Sequence, residues 1–131
     1  MKESAAAGVV WHGPELAMQE RRVSDGFGSE LVYTFPGDKV REAEEPVDTV
    51  IRVLDTQLGF PLSRGGLDKV KVLRDNSREV SFYELQAPFN SLKLHQEDNS
   101  RMVLMSPYRV TKALQAGIIA TLSAEYIERY L

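Results

Sequence analysis

The chain has no cysteine, and that absence removes disulfide frameworks, thiol nucleophiles and thiolate zinc sites together. Only two histidines are present, His12 and His95, too few for a multi-histidine metal site. Long apolar runs are missing as well. The stretch Ala5–Trp11 follows Glu3 and stops at His12-Gly13-Pro14; it falls well short of the roughly 18 apolar residues of a membrane span and does not read as a secretory signal. Neither sign of charge dominates. Sixteen Lys and Arg against nineteen Asp and Glu leave −3, so the balance offers no general nucleic-acid footprint. There is no Gly-rich phosphate loop, no Ser-His-Asp order with a nucleophile elbow, and no repeat, low-complexity tract or Pro-rich linker. A soluble, cytoplasmic protein is expected, and its 131 residues, 43% apolar and 27% charged, have the length and mix of one globular domain.

The local signals alternate between strand and helix. Ala5–Trp11 and Leu16–Arg21 read as an antiparallel pair around the Gly13-Pro14 break, Ser24–Ser29 as a loop, and Leu31–Phe35 as a strand ended by Pro36-Gly37-Asp38. The spacing of Val47, Val50, Ile51, Leu54 and Leu58 predicts a helix over Pro46–Leu58. Pro46 suits its first position, Glu44, Glu45 and Asp48 lie near its positive end, and Gly59 stands where a left-handed cap belongs. Lys69–Leu73 and Glu79–Leu85 form a predicted hairpin around Arg74–Arg78. Ala87–Ser100 reads as loop, Arg101–Met105 as a last strand, and the tail from Ala116, with Ile118, Ile119, Leu122, Tyr126, Ile127 and Tyr130, as an amphipathic helix.

The segment from Phe35-Pro36-Gly37-Asp38 through Glu44, Arg52 and Leu54 to Gly59-Phe60 resembles the Nudix box, the signature of MutT-like diphosphate hydrolases. That pattern runs Gly, five residues, Glu, seven residues, Arg-Glu-apolar-any-Glu-Glu-any-Gly-apolar. Glu44 falls on its first glutamate, Arg52 on its arginine, Leu54 on its first apolar place, and Gly59 and Phe60 on its last two. Asp38 replaces the leading glycine, Val53 the glutamate after the arginine, and Thr56 and Gln57 the glutamate pair. The resemblance implies an α/β fold (α+β in strict usage), a Nudix-type mixed β-sheet sandwiched between α-helices.

The chemistry at stake follows from charge. Cleaving a diphosphate needs a divalent cation to offset phosphate charge and acidify a bound water, and magnesium takes hard oxygen ligands. Positions 53, 56 and 57 share one side of the helix by i, i+3 and i+4 geometry; the resemblance makes them a three-carboxylate platform, and here they hold a methyl-bearing side chain, a hydroxyl and an amide. The leading expectation is a Nudix-like protein with a degenerate box that binds a nucleotide-like diphosphate or a protein partner, with no resident cofactor. One alternative is an active hydrolase using magnesium or manganese held by Glu44 with the loop acids Glu97 and Asp98. Another is a structural subunit that uses the fold as a surface.

Each candidate has an ordinary reading beside the functional one. Glu44 and Arg52, the catalytic candidates, also suit a structural pair that braces the loop on the helix. Arg21 and Arg22 suit phosphate contacts or a solvated strand end. Tyr33, Phe82, Tyr83 and Phe89 suit base stacking or the core, and of Phe82 and Tyr83, which face opposite sides of one strand, Tyr83 is taken for the ligand. The apolar stripe of the terminal helix suits its own sheet or a homodimer contact.

Overall fold

The computed structural model describes residues 2–24, 26–87 and 92–131. Eight strands and three α-helices follow in order: β1 (Glu3–His12), β2 (Glu15–Ser24), β3 (Ser29–Thr34), β4 (Gly37–Lys39), α1 (Pro46–Leu58), β5 (Asp68–Arg74), β6 (Arg78–Gln86), β7 (Gln96–Glu97), β8 (Ser100–Met105), α2 (Pro107–Gln115) and α3 (Thr121–Tyr130). This is the mixed sheet with packed helices that the sequence predicts. Among the described residues no helix is long and apolar enough to cross a membrane.

The strands form one sheet in the order β5-β6-β1-β2-β8-β7. β1 runs parallel to β6, and the other pairs are antiparallel. The splay of the first hairpin positions the site. β1 and β2 pair only beside their turn, at Trp11 with Leu16 and His12 with Glu15, and then part. β4 takes the freed edge of β1, with Asp38 opposite Ala6, and β3 takes that of β2, from Gln19–Thr34 to Ser24–Ser29. Gly37 makes the closure on β1 possible: a Cβ there would lie 2.6 Å from the Ala6 carbonyl oxygen. The parted strands leave a cleft between them.

The alternation of a strand divides the core in two. Ala6 and Val10 of β1 pack with Val50, Leu54 and Leu58 of α1 and with Tyr83. Val9 and its face pack with Phe35, Phe82 and the α3 residues Leu122 and Tyr126. Both faces of β1 are therefore covered, which is why Ala5–Trp11 reads as a continuous apolar run rather than an alternating one. Tyr126 is fully buried, its ring edge-on to Phe35 and 4.7 Å from the Phe82 centroid.

The C-terminal third corrects the sequence reading. The helical tail begins at Thr121, not Ala116, because Gly117 takes a left-handed φ of 71° and breaks the run. Ile118 and Ile119 belong to a connector on β3, where the Tyr33 amide donates to the Ile118 carbonyl and the Ala120 amide to that of Tyr33. A further helix, α2, precedes it. Its N-cap is Ser106, whose hydroxyl accepts from the Arg109 amide, with Pro107 next; that pair is a helix-start signal as well as a strand end. Gln96–Glu97 pair with β8 inside the segment expected to be loop, and Phe89 lies outside the described residues.

Candidate functional site

α1 begins as its sequence dictates. Glu45 caps it, Pro46 fills the first position, and the Asp48 carboxylate accepts from the Glu45 amide at 2.9 Å. It ends on Gly59 at φ 59°, whose amide donates to the Asp55 carbonyl while that of Phe60 donates to Leu54. Any side chain at Gly59 would be strained by that φ and would crowd Lys93 at 3.1 Å.

Within this frame Arg52 gathers the box residues. Its Nε donates to Glu44 Oε2 at 2.9 Å and its Nη2 to Oε1 at 3.1 Å, a bidentate pair. Its Nη1 donates to Asp38 Oδ2 at 2.9 Å. Glu44 Oε1 also accepts from the Arg41 amide and the Thr49 hydroxyl. The Arg52 hydrogen bonds, then the Arg41 amide, hold the Glu44 carboxyl down at about 2. Partial burial pushes Asp38 up, but Arg52 and the Lys39 amide outweigh it and keep that carboxyl below its ordinary value. Glu44, ahead of Asp38, raises the Arg52 pKa further. The Arg52 neighbours Asp48 and Asp55 are not its partners: Asp48 pairs with Arg64 at 2.7 Å, and Asp55 is exposed. Glu44 and Arg52 are paired, with Asp38 as a third member that the sequence reading passed over. Nothing local marks that contact, because Asp38 precedes Arg52 by a loop whose path only the fold sets.

The platform positions hold no anionic oxygen. Val53 is buried, 6% exposed. The Thr56 hydroxyl donates to the Arg52 carbonyl one turn back. The Gln57 and Leu58 carbonyls accept the amides of His95 and Lys93, so the 93–95 segment covers the helix end. Glu97 Oε1 accepts from His95 Nε2 at 2.9 Å in the imidazole tautomer that carries its proton there. Among the described residues no group of three or more His, Asp or Glu is placed to hold a metal ion. Glu44, Glu97 and Asp98 are therefore not assembled as one ligand set, and with the Glu44 oxygens spent on Arg52, Arg41 and Thr49, the donor set does not fit magnesium or manganese.

The parted hairpin supplies a cleft of about 360 Å³. Ala5, Ala7, Phe35, Val80, Phe82 and Leu122 give its apolar wall; Glu3, Gln19, Arg21, Asp38, Lys39 and Arg78 give its polar rim. Arg21 lines this cleft. Arg22 does not: it donates to Ser29 at 3.0 Å and borders a separate polar cleft beside Glu97 and Asp98. Tyr83 is buried against α1, and burial, ahead of Glu45 and Asp48, pushes its phenol up; Phe82, on the other face of β6, lines the cleft in its place. Tyr33 is buried too and donates to Glu20 at 2.7 Å. Lys39 and Arg78 escaped the sequence reading, since isolated cations carry no motif.

No protein-family model matches the sequence, and no curated protein matches it. Solved structures do. A MutT Nudix hydrolase from Burkholderia pseudomallei superposes with a TM-score of 0.71 at 14% identity, covering 100% of this chain and 99% of that one. A Nudix hydrolase from Nitrosomonas europaea gives 0.67 at 12% identity, covering 99% and 88%. At such identity the likeness is one of fold. The chain has the fold of the Nudix, MutT-like, superfamily.

Proposed function

We propose that this protein binds a nucleotide-like ligand in the cleft between the parted strands and does not hydrolyse it. The observation that carries the reading is the state of the box. Val53, Thr56 and Gln57 supply no carboxylate, while Arg52 is closed on Glu44 and Asp38. Without a cation, phosphate charge is not offset and no bound water is acidified. The cleft keeps what binding needs: an apolar wall with Phe35 and Phe82 and a rim with Arg21, Lys39 and Arg78.

The test incubates the purified protein with nucleotide diphosphate compounds and millimolar magnesium or manganese, reading phosphate release and melting temperature together. A ligand that binds only the folded state raises the melting temperature. Nucleotide-dependent stabilisation without phosphate release is the expected result. Metal-dependent turnover lost in Glu44→Gln would overturn it in favour of a hydrolase. If no nucleotide stabilises the protein, the fold serves instead as a surface for a protein partner or a second copy.

A further inference from the structure

The charges around the cleft are engaged with one another. Lys39 contacts Glu3 at 3.7 Å, Arg78 contacts Asp75 at 4.0 Å, and Asp38 is held by Arg52 of α1 at 2.9 Å. Arg21 has no carboxylate partner among the described residues, but Arg52 serves two acids, Asp38 and Glu44. Arg21, Lys39, Arg52 and Arg78 therefore stand against Glu3, Asp38, Glu44 and Asp75, and the set has no net charge. A phosphate entering here meets carboxylates along with cations, so attraction and repulsion offset.

Uncharged groups do converge. Gln19 and Thr34 lie opposite each other on β2 and β3, and both line the cleft. The Thr34 hydroxyl is 3.0 Å from that of Ser123, whose oxygen accepts from the Phe35 amide at 3.2 Å. Those bonds bring the end of β3 to the α3 layer, where Phe35, Phe82 and Leu122 form the apolar wall. Thr34 also lies 3.4 Å from the Phe35 carbonyl; a hydroxyl has one proton and two lone pairs, so at least one acceptor site on it is left over. The Gln19 amide gives one N–H to Ser100 at 3.0 Å and accepts from Arg21 at 3.4 Å, which leaves its second N–H.

We infer that this cleft reads the uncharged ring of its ligand, through Thr34 and Gln19, and takes no affinity from its phosphates. The inference rests on the binding reading above and narrows it to the ring. A ring lying on the Phe82 and Leu122 wall offers an N–H to Thr34 and a carbonyl or ring nitrogen to Gln19. Nucleobase edges carry both kinds of group.

Calorimetry with adenosine, guanosine, cytidine and uridine and with their 5′-diphosphates, run in EDTA and again in millimolar magnesium, tests this. For the best-bound base the diphosphate is expected to bind no more than about threefold tighter than the nucleoside in either buffer, with the difference unmoved by added salt. Thr34→Val and Gln19→Leu each remove one hydrogen bond and are expected to weaken that nucleoside about fivefold. Gln19→Leu is also expected to bring the four nucleosides closer to one affinity, which a purely structural role would not do. Thr34→Val keeps the shape of the side chain and leaves the Ser123 bond to the Phe35 amide in place, so the test stands even if Gln19→Leu is destabilised. A larger phosphate gain in either buffer, or unchanged nucleoside affinity in both variants, overturns this inference and leaves the binding reading standing. Failure of every nucleoside and diphosphate to bind overturns both.

Discussion

Arg52 Nη1 lies 2.9 Å from Asp38 Oδ2, an ion pair between the helix and the residue standing at the first position of the box frame. With the bidentate Glu44 contact it makes one guanidinium serve two carboxylates, and Arg52 is 24% exposed where it does so. Arg52→Ala leaves two acids facing each other without a partner. A loss of about 1–2 kcal/mol is expected, as for hydrogen bonds to charged groups at a partly buried site, read as a lowered urea midpoint. Arg52→Lys restores little of it, because an ammonium cannot span the Glu44 carboxylate with a planar fork. Full recovery in the lysine variant would show that charge alone holds the loop.

The same contacts set the response to acid. Glu44 and Asp48 titrate at about 2, each held down first by its arginine, Arg52 and Arg64. Their ordinary values are 4.5 and 3.8, so both are depressed in the folded state. The unfolded chain then binds more protons over this range, and the stability these groups contribute is present above about pH 5 and lost as pH falls toward 2. Urea melts between pH 6 and pH 2 are expected to show that decline. Glu44→Gln and Asp48→Asn each lower stability at neutral pH and flatten the decline; an unaltered acid slope in both contradicts the assignment.

Much of this was legible in the chain. The helix over Pro46–Leu58 needed only its apolar spacing, Pro46 and Gly59, and the structure has those same ends. The residues that make the cleft were not legible. Asp38, Lys39 and Arg78 border one cleft because β4 and β6 both pair with β1, β4 antiparallel and β6 parallel, and neither pairing leaves a mark within its segment. Tyr83 and Phe82 show the reverse limit: their alternation was plain, but which face met α1 depended on the register of the whole sheet.

Placing carboxylates at positions 53, 56 and 57 tests the proposal that the box does not hold a cation. Val53→Glu places a carboxylate where the native side chain is 6% exposed, and the single variant is expected to lose about 1–3 kcal/mol of stability for want of a partner. In the triple variant Val53→Glu, Thr56→Glu, Gln57→Glu the three acids lie on one side of α1, and manganese becomes their partner. Millimolar manganese is expected to raise the melting temperature of the triple variant and leave that of the unmodified protein unchanged. A shift of equal size in both proteins would place the cation elsewhere.

The seat of α1 on the sheet depends on Gly8 and Leu54. A Cβ at Gly8 would stand 3.1 Å from Leu54 Cδ2, and Leu54 is fully buried. Leu54→Ala alone is expected to cost about 2–5 kcal/mol through lost burial and the cavity left behind. Gly8→Ala alone forces Leu54 aside and costs about 1–3 kcal/mol as overpacking. Combined, the new methyl enters the space the leucine vacated, so the two costs do not add. Urea melts around this double-mutant cycle are expected to give a favourable coupling of about 0.5–3 kcal/mol. Strict additivity would mean that α1 shifts away from β1 in one of the single variants, and the box frame would then rest on its ion pairs rather than on the packing beneath it.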